Sequence, residues 1–535
     1  MNPRNKDPVS TEAWKYYEKG RAYNNSLEPS QYAIVNTNIE FFSGNQWLNM
    51  PDTEAMRRLP RPTFNIIKRV ASLFIASLTS SNTTINFEPL SYSSAVSGDP
   101  SQPDDVAAAS FATAEVRNLL EKFKLDYRIR DALYDGAITG DYCAHFYWDA
   151  DAVPYGGTLG PETGEIKMEM VDGINVLFGN PNIRDVEKQP YIIILGRDWT
   201  PEETTAGVRH SVSDRDDGIY ALMYRKINGT VHVTKATKKR TVYEDVDTGL
   251  TRYPIAWGNW ERQKNQYHGR ALVTGLVPSQ TYINAMFAMI FYQEQTNAFP
   301  IRYYNADYLP NLTNELGVAL GVHNLLPGQD LGSLVATIPP ADMSSQVLQT
   351  IDAVMQYAKD CVGATDVQMG SARPDNTSAL IMLQQASEVP LENIRCGLYE
   401  WIEDIGAVLL DMIGTYYGRR PFVHSRTFEE PVTDAAGVPI INPATGKMFT
   451  RSVSRLVSEE VDFSQFKRLW FRVGIDVGKG STYSMNAEIT TLENLRKEGI
   501  ITIIEYLERM PNNLIPRKTE LIENIRKRAE SPDSA

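Results

Sequence analysis

Between Gly269 and Tyr417 helix-forming and non-helical segments alternate in an order that restricts the whole architecture. A stretch rich in small and apolar residues, Ala271 to Asn297, reads as a helix, and a compact tyrosine-rich insert, Phe299 to Pro340, follows it. Ala341 to Val362 has the spacing of a second helix. A short Gly/Pro/Asp loop, Gly363 to Asn376, then leads into a long helix broken at Pro390. Ile283, Met286, Phe287 and Ile290 fall at i, i+3, i+4 and i+7, and Val347, Ile351, Val354 and Ala358 nearly do. Both stripes predict amphipathic helices, and ordinary core packing accounts for them as well as any special assembly does. No residue pattern in this region is catalytic, and the order of parts suits a hollow assembly better than an enzyme pocket.

At 535 residues the chain exceeds one simple core, so two or more domains are expected. With 42% hydrophobic and 22% charged residues it has the composition of a globular protein. No apolar run approaches the ~20 residues of a membrane span, and mean hydropathy is -0.33. The richest run, Met286 to Tyr292, is flanked by Asn284 and Gln293. The first residues lack the apolar core of a signal peptide, so synthesis in a cytosol is expected. The formal net charge of -13 disfavours tight gripping of a DNA duplex. It is compatible with a protein that handles DNA without holding it, since negative walls repel phosphates.

Ahead of this region, Glu12 to Tyr23, Tyr32 to Phe42, Ile66 to Leu78 and Val106 to Asp135 read as helices. Ile67, Val70, Ala71, Phe74 and Leu78 share one face of the third. Ser91 to Asp105 reads as an exposed loop, and Gly156 to Gly164 as a turn-rich excursion. Tyr142 to Asp149 and Tyr191 to Leu195 read as strands. Ile219 to Thr237 is a hairpin about Asn228-Gly229, because both central residues of a type I′ turn need positive φ. After the broken helix the pattern turns irregular. Pro431 to Gly446 has the composition of a hairpin tip, Leu469 to Val477 of a strand, and Met485 to Arg528 of a helical C-terminus.

The candidate chemistry is thin. Gly474 to Ser481 imitates a phosphate-binding loop, but its glycines are one residue too close and Gly480 stands where the hydroxyl residue belongs. Asp245-Val246-Asp247-Thr248-Gly249 opens like a calcium loop, lacks the later ligands, and reads as a solvated hairpin turn. The six histidines have no metal-ligand spacing. Cys143, Cys361 and Cys396 are too scattered for a disulfide framework or a metal site and read as small buried residues. Asp131, Asp135, Asp141 and Asp149 are the one set of acids that could serve a metal-dependent nuclease. No catalytic, metal-binding or cofactor-binding residues are assigned.

Several landmarks are similar to those of the portal proteins, or head-to-tail connectors, of tailed double-stranded DNA bacteriophages. They are Phe41-Phe42-Ser43-Gly44-Asn45-Gln46-Trp47, Arg61-Pro62-Thr63-Phe64-Asn65-Ile66-Ile67, Tyr253-Pro254-Ile255, Tyr267-His268-Gly269-Arg270 and Pro278-Ser279-Gln280-Thr281-Tyr282-Ile283-Asn284. Phe471-Arg472-Val473-Gly474-Ile475-Asp476-Val477-Gly478, ahead of Leu492, Leu495 and Gly499-Ile500-Ile501, completes the series. None is specific alone, whereas their order covers nearly the whole chain.

The resemblance implies an α+β ring subunit without enzymatic activity, in a ring usually of about twelve copies at one capsid vertex. It implies a mixed α/β wing over 1–268, a first stem helix over 269–298, a small α/β clip over 299–340 and a second stem helix over 341–362. It further implies a tunnel loop over 363–376, a long kinked helix over 377–417, returning wing strands and a hairpin over 418–480, and a short helical crown with a tail over 481–535. On this expectation Asp342, Asp352 and Asp360 face the channel, as exposed acids on any helix also would face water. Tyr303, Tyr304, Tyr308, Leu309 and Leu312 are clip contacts, where folding of the module itself is the competing explanation. Asp366, Gln368, Arg373 and Asp375 are the tunnel-loop residues that meet DNA, with Arg373 the phosphate contact. The implied partners are further copies of the chain, the terminase, the major capsid protein and scaffold, the head–tail adaptor and the double-stranded DNA in transit, with no membrane. The implied location is the virion, after synthesis in the host cytoplasm. The competing readings are a metal-dependent DNA-processing enzyme using the Asp131–Asp149 acids, and another structural or adaptor protein of the virion.

Overall fold

The computed structural model describes residues 11–48, 59–79, 83–90, 105–152, 164–197, 204–205, 208–209, 219–298, 302–304, 330, 335–337, 345–362, 389–431 and 450–477, with a few positions between 492 and 507. In chain order it has α1 (Glu12–Ser26), α2 (Gln31–Ser43), α3 (Ile66–Leu78), β1 (Thr83–Pro89), α4 (Asp105–Phe123) and α5 (Leu125–Thr139). A β-rich stretch follows, with β2 (Asp141–Asp149), β3 (Glu165–Asp172), β4 (Val176–Phe178), β5 (Tyr191–Arg197), β6 (Thr204–Thr205), β7 (Val208–Arg209), β8 (Ile219–Ile227), β9 (Thr230–Ala236), β10 (Thr241–Asp247) and β11 (Ile255–Asn259). Then come α6 (Leu272–Ala298), β12 (Arg302–Tyr304), β13 (Val335–Thr337), α7 (Ser345–Val362) and α8 (Glu392–Tyr416). The long pair β14 (Arg419–Pro431) and β15 (Thr450–Asp462) precedes β16 (Phe471–Val477). The fold is mixed α plus β.

The chain divides into two units. One comprises Met1–Tyr32, Phe74–Ala271 and Arg373–Ala535, and the other Ala33–Leu73 and Leu272–Ala372. In the first, a five-stranded antiparallel sheet runs β10-β9-β8-β5-β4 and a three-stranded one runs β11-β2-β3. Ala13 of α1 lies against the larger sheet in a cluster with Leu177, Ile193, Ala221, Met223 and Ala236, rimmed by Trp14, Tyr16, Tyr17 and Tyr191. α8 buries Leu398, Trp401, Ile402, Ile405, Leu409 and Ile413 along one face. Trp401 Nε1 donates to the carbonyl of Ala256 at 3.1 Å, fixing that helix on β11. The ring of Tyr142 lies edge-on to Trp401, with centroids 5.3 Å apart.

The Asn228-Gly229 turn forms as the sequence predicts, with φ of 52° and 93° and β8 paired to β9 on either side. The α3 stripe holds as well: Ile67, Val70, Ala71, Phe74 and Leu78 are all buried. Elsewhere the structure corrects the reading. The helix expected over Val106–Asp135 is two helices, broken at Lys124, whose φ of 54° no glycine or proline announces. Asp245 to Gly249 is not a bare hairpin turn. Asp245 bulges within β10 at φ 52°, and Asp247 Oδ1 accepts from the Gly249 N–H at 2.8 Å just beyond the strand.

The segment read as irregular after α8 contains two 13-residue strands, β14 and β15, in register from Arg419–Asp462 to Pro431–Thr450. The tip between them, 432–449, lies outside the described residues. So do all but the last residue of each of the loops expected over Ser91–Asp105 and Gly156–Gly164, residues 363–388 with the start of the broken helix, and nearly all of the C-terminal helical stretch. Pro390 sits in a single 3₁₀ turn, Val389–Leu391, immediately ahead of α8.

Candidate channel and anchoring elements

α6 is 27 residues long, about 40 Å at 1.5 Å per residue. Within its unit it packs against α7. Leu272, Val273, Leu276, Ile283 and Ala288 are buried along it, while Met286, Phe287 and Ile290 of the expected stripe are half-buried. On α7, Ile351 and Ala358 are buried and Val347 and Val354 half-buried, as the spacing predicted. Asp352 and Asp360 lie on the opposite, exposed face, where Gln356 Nε2 donates to Asp360 Oδ1 at 3.3 Å. Asp342 lies outside the described residues, as do Tyr308, Leu309, Leu312, Asp366, Gln368, Arg373 and Asp375. Tyr303 and Tyr304 are placed by backbone alone: β12 pairs antiparallel with β13, setting Tyr303 opposite Ala336 and Tyr304 opposite Val335.

What holds α6 is a chain of buried amides drawn from three of the sequence landmarks. Gln280 Oε1 accepts from the Ile66 N–H at 3.1 Å, and its Nε2 donates to the Phe64 carbonyl at 2.8 Å and to Asn284 Oδ1 at 2.9 Å. Asn284 Nδ2 donates to Gln46 Oε1 at 2.7 Å, and Gln46 Nε2 to the Phe41 carbonyl at 3.0 Å. Gln46, Gln280 and Asn284 are all buried. Buried amides must find partners or cost free energy, so this chain fixes one register between the 41–67 segment and the helix. Asn38 adds a bond to Thr274 Oγ1 at 2.8 Å. The landmarks are thus positioning residues, whose meeting had no signal in local spacing.

Within the first unit a second buried cluster holds residues 267–269. Asp141 Oδ1 accepts from the Gly269 N–H and from Asn259 Nδ2, both at 2.6 Å. Its Oδ2 faces His268 Nδ1 at 2.6 Å, and both side chains are 2% exposed. His268 Nε2 meets Asn24 Oδ1 at 3.1 Å, and the rings of Tyr267 and His268 lie tilted against each other with centroids 3.9 Å apart. Gly140, at φ 97°, is required here: a Cβ would stand 2.5 Å from the Gly269 carbonyl oxygen.

This placement removes Asp141 from the set of candidate nuclease acids. Asp149 is tied to Lys167, whose ammonium lowers its pKa, and Asp131 is exposed beside Arg128 at 3.9 Å. Asp135 is pushed up to about 7, first by burial and then by Asp172 and Asp131. Among the described residues no group of three or more His, Cys, Asp or Glu side chains could hold a metal ion. His145 is a core histidine, with Nδ1 on Glu169 and Nε2 on the Tyr224 hydroxyl, each at 2.7 Å. Of the cysteines, Cys143 is buried as expected, whereas Cys396 is exposed on α8. Among the described residues no helix is long and apolar enough to cross a membrane.

No curated protein matches the chain. Residues 186–436 match the model of the family described as phage P22-like portal protein. That span includes β8–β11, both helices of the α6–α7 pair and the whole of α8. The match covers just under half of the chain and supports a phage portal protein, and the family it matches is structural and non-enzymatic.

Proposed function

We propose that copies of this chain form a ring at one capsid vertex, through which double-stranded DNA enters during packaging, is retained, and leaves on ejection. The observation that carries the reading is that the matched span encloses the series α6, β12, β13, α7 and α8. In this reading 269–298 and 341–362 are the stem helices, 299–340 the clip, 363–376 the tunnel loop and 377–417 the kinked helix. Residues 1–268 and 418–480 form the wing, and 481–535 the crown and tail. About twelve helices of ~10 Å diameter side by side give a ring of ~120 Å circumference and ~30 Å clear width, enough for a hydrated duplex. The exposed Asp352 and Asp360 on α7 support an acidic channel wall, which repels phosphates and favours transit over gripping.

The terminase docks first and the head–tail adaptor later, with the major capsid protein and scaffold around the ring. Solution mass with negative-stain imaging tests the proposal. A closed ring with a central channel is expected, and a monomer under all assembly conditions, scaffold included, would overturn it.

A further inference from the structure

The chain is acidic overall, yet between Glu54 and Glu88 it carries five cations and no acid: Arg57, Arg58, Arg61, Lys68 and Arg69. The structure describes the last three, all in the second unit and all exposed. Lys68 and Arg69 lie in the first turn of α3, which holds no acidic residue, and Arg61 lies five residues ahead of the helix. Among the described residues none of the three side chains enters an ion pair.

Cations at a helix N-terminus oppose the macrodipole, so this arrangement does not stabilise the helix. Backbone capping does not account for them, because Asn65 Oδ1 already accepts from the Lys68 N–H at 2.9 Å. Asn65 is itself fixed by a bond from its Nδ2 to the Phe42 carbonyl at 2.9 Å, and Ile66 by Gln280. Three cations without an ion pair among the described residues are therefore held on a hydrogen-bonded segment.

We propose that Arg61, Lys68 and Arg69 form a phosphate-backbone contact site for duplex DNA. The reading rests on the portal assignment, which makes duplex DNA the polyanion this chain handles. Charge complementarity carries the choice of partner. Among the described residues nothing neutralises the patch, and phosphate contacts through lysine and arginine need no base edges and position DNA without reading its sequence. The patch would supply a local hold to oppose the repelling acids of α7, so that the duplex is retained without being gripped along its path.

The test is fluorescence anisotropy with a labelled random-sequence duplex over a salt series, using the assembled full chain. Three proteins are compared: wild type, R61Q/K68Q/R69Q, and K15Q/K19Q/R21Q, which removes three exposed cations of α1. Each phosphate contact contributes about 0.9 to the slope of log affinity against log salt. The α3-patch variant is expected to bind at least ~10-fold more weakly, with a slope shallower by about 2 to 3, while the α1 control matches wild type. Equal binding by all three proteins, or no binding by wild type, would overturn the proposal. So would loss of ring formation in the α3-patch variant alone, which makes the patch a contact between copies of the chain. A wild-type chain that never assembles strikes the ring reading instead, and the same titration on that unassembled chain still decides the patch.

Discussion

At the scale of single residues, the buried Asp141 decides most about the first unit. Three donors converge on its carboxylate, from Gly269, Asn259 and His268. Asp141→Asn keeps the shape but turns an NH₂ group toward one of them. Breaking a buried pair in this way costs about 3–5 kcal/mol, read as a fall in the first unit's calorimetric unfolding midpoint. An unchanged midpoint would mean the cluster is not a structural anchor. Asp135 behaves in the opposite sense. Burial raises its pKa to about 7, above the unfolded value, so the folded state binds the extra proton between about pH 4 and 7. Stability from this group is present at low pH and lost as pH rises through that window. Asp135→Asn should match wild type near pH 4 and exceed it by on the order of 1 kcal/mol at pH 8, solvent screening of the part-exposed carboxylate limiting the gain. Denaturant melts at the two pH values check this, and a gain confined to low pH would refute it. Spacing read these acids as one possible set because sequence separation carries no information about which side chains are desolvated.

Among the elements, the Asn228-Gly229 hairpin and the α3, α6 and α7 stripes were legible because local backbone preference and helical periodicity write them directly into the chain. β14 and β15 were not, since their partners lie across a long connection and neither alternates cleanly. The two-helix break at Lys124 was likewise hidden, its left-handed φ being imposed on an ordinary residue by its surroundings. Close approach leaves its own test in β11. Gly258 pairs with Tyr142 of β2, and a Cβ there would stand 2.1 Å from that ring, against 2.8 Å for Gly136 on its other side. Gly258→Ala should therefore cost about 3 kcal/mol and Gly136→Ala about 1 kcal/mol, overpacking of a fixed ring being the common cause. Thermal melts of the two variants give the order, and the reverse order would show that the ring moves away from β11.

For the whole molecule, the ring reading predicts that Arg373→Ala leaves assembly intact while altering packaged genome length or retention. Genome sizing and infectivity of phage carrying the variant measure this, and normal values in both would remove Arg373 from the DNA path. The sequence by itself determined the α+β class, the helical segments of the series from Gly269 to Tyr417, and a set of landmarks whose order resembles a family that a model also matches over 186–436. Those features are local or cumulative along the chain. What only the tertiary structure decided is why the landmarks are there. Gln46, Phe64, Ile66, Gln280 and Asn284 meet across more than 200 positions to seat α6, and within the first unit Asp141 reaches Gly269 across more than 120 positions. The physical reason is that a buried amide or carboxylate needs partners wherever the fold brings them, and no periodicity records such a pairing.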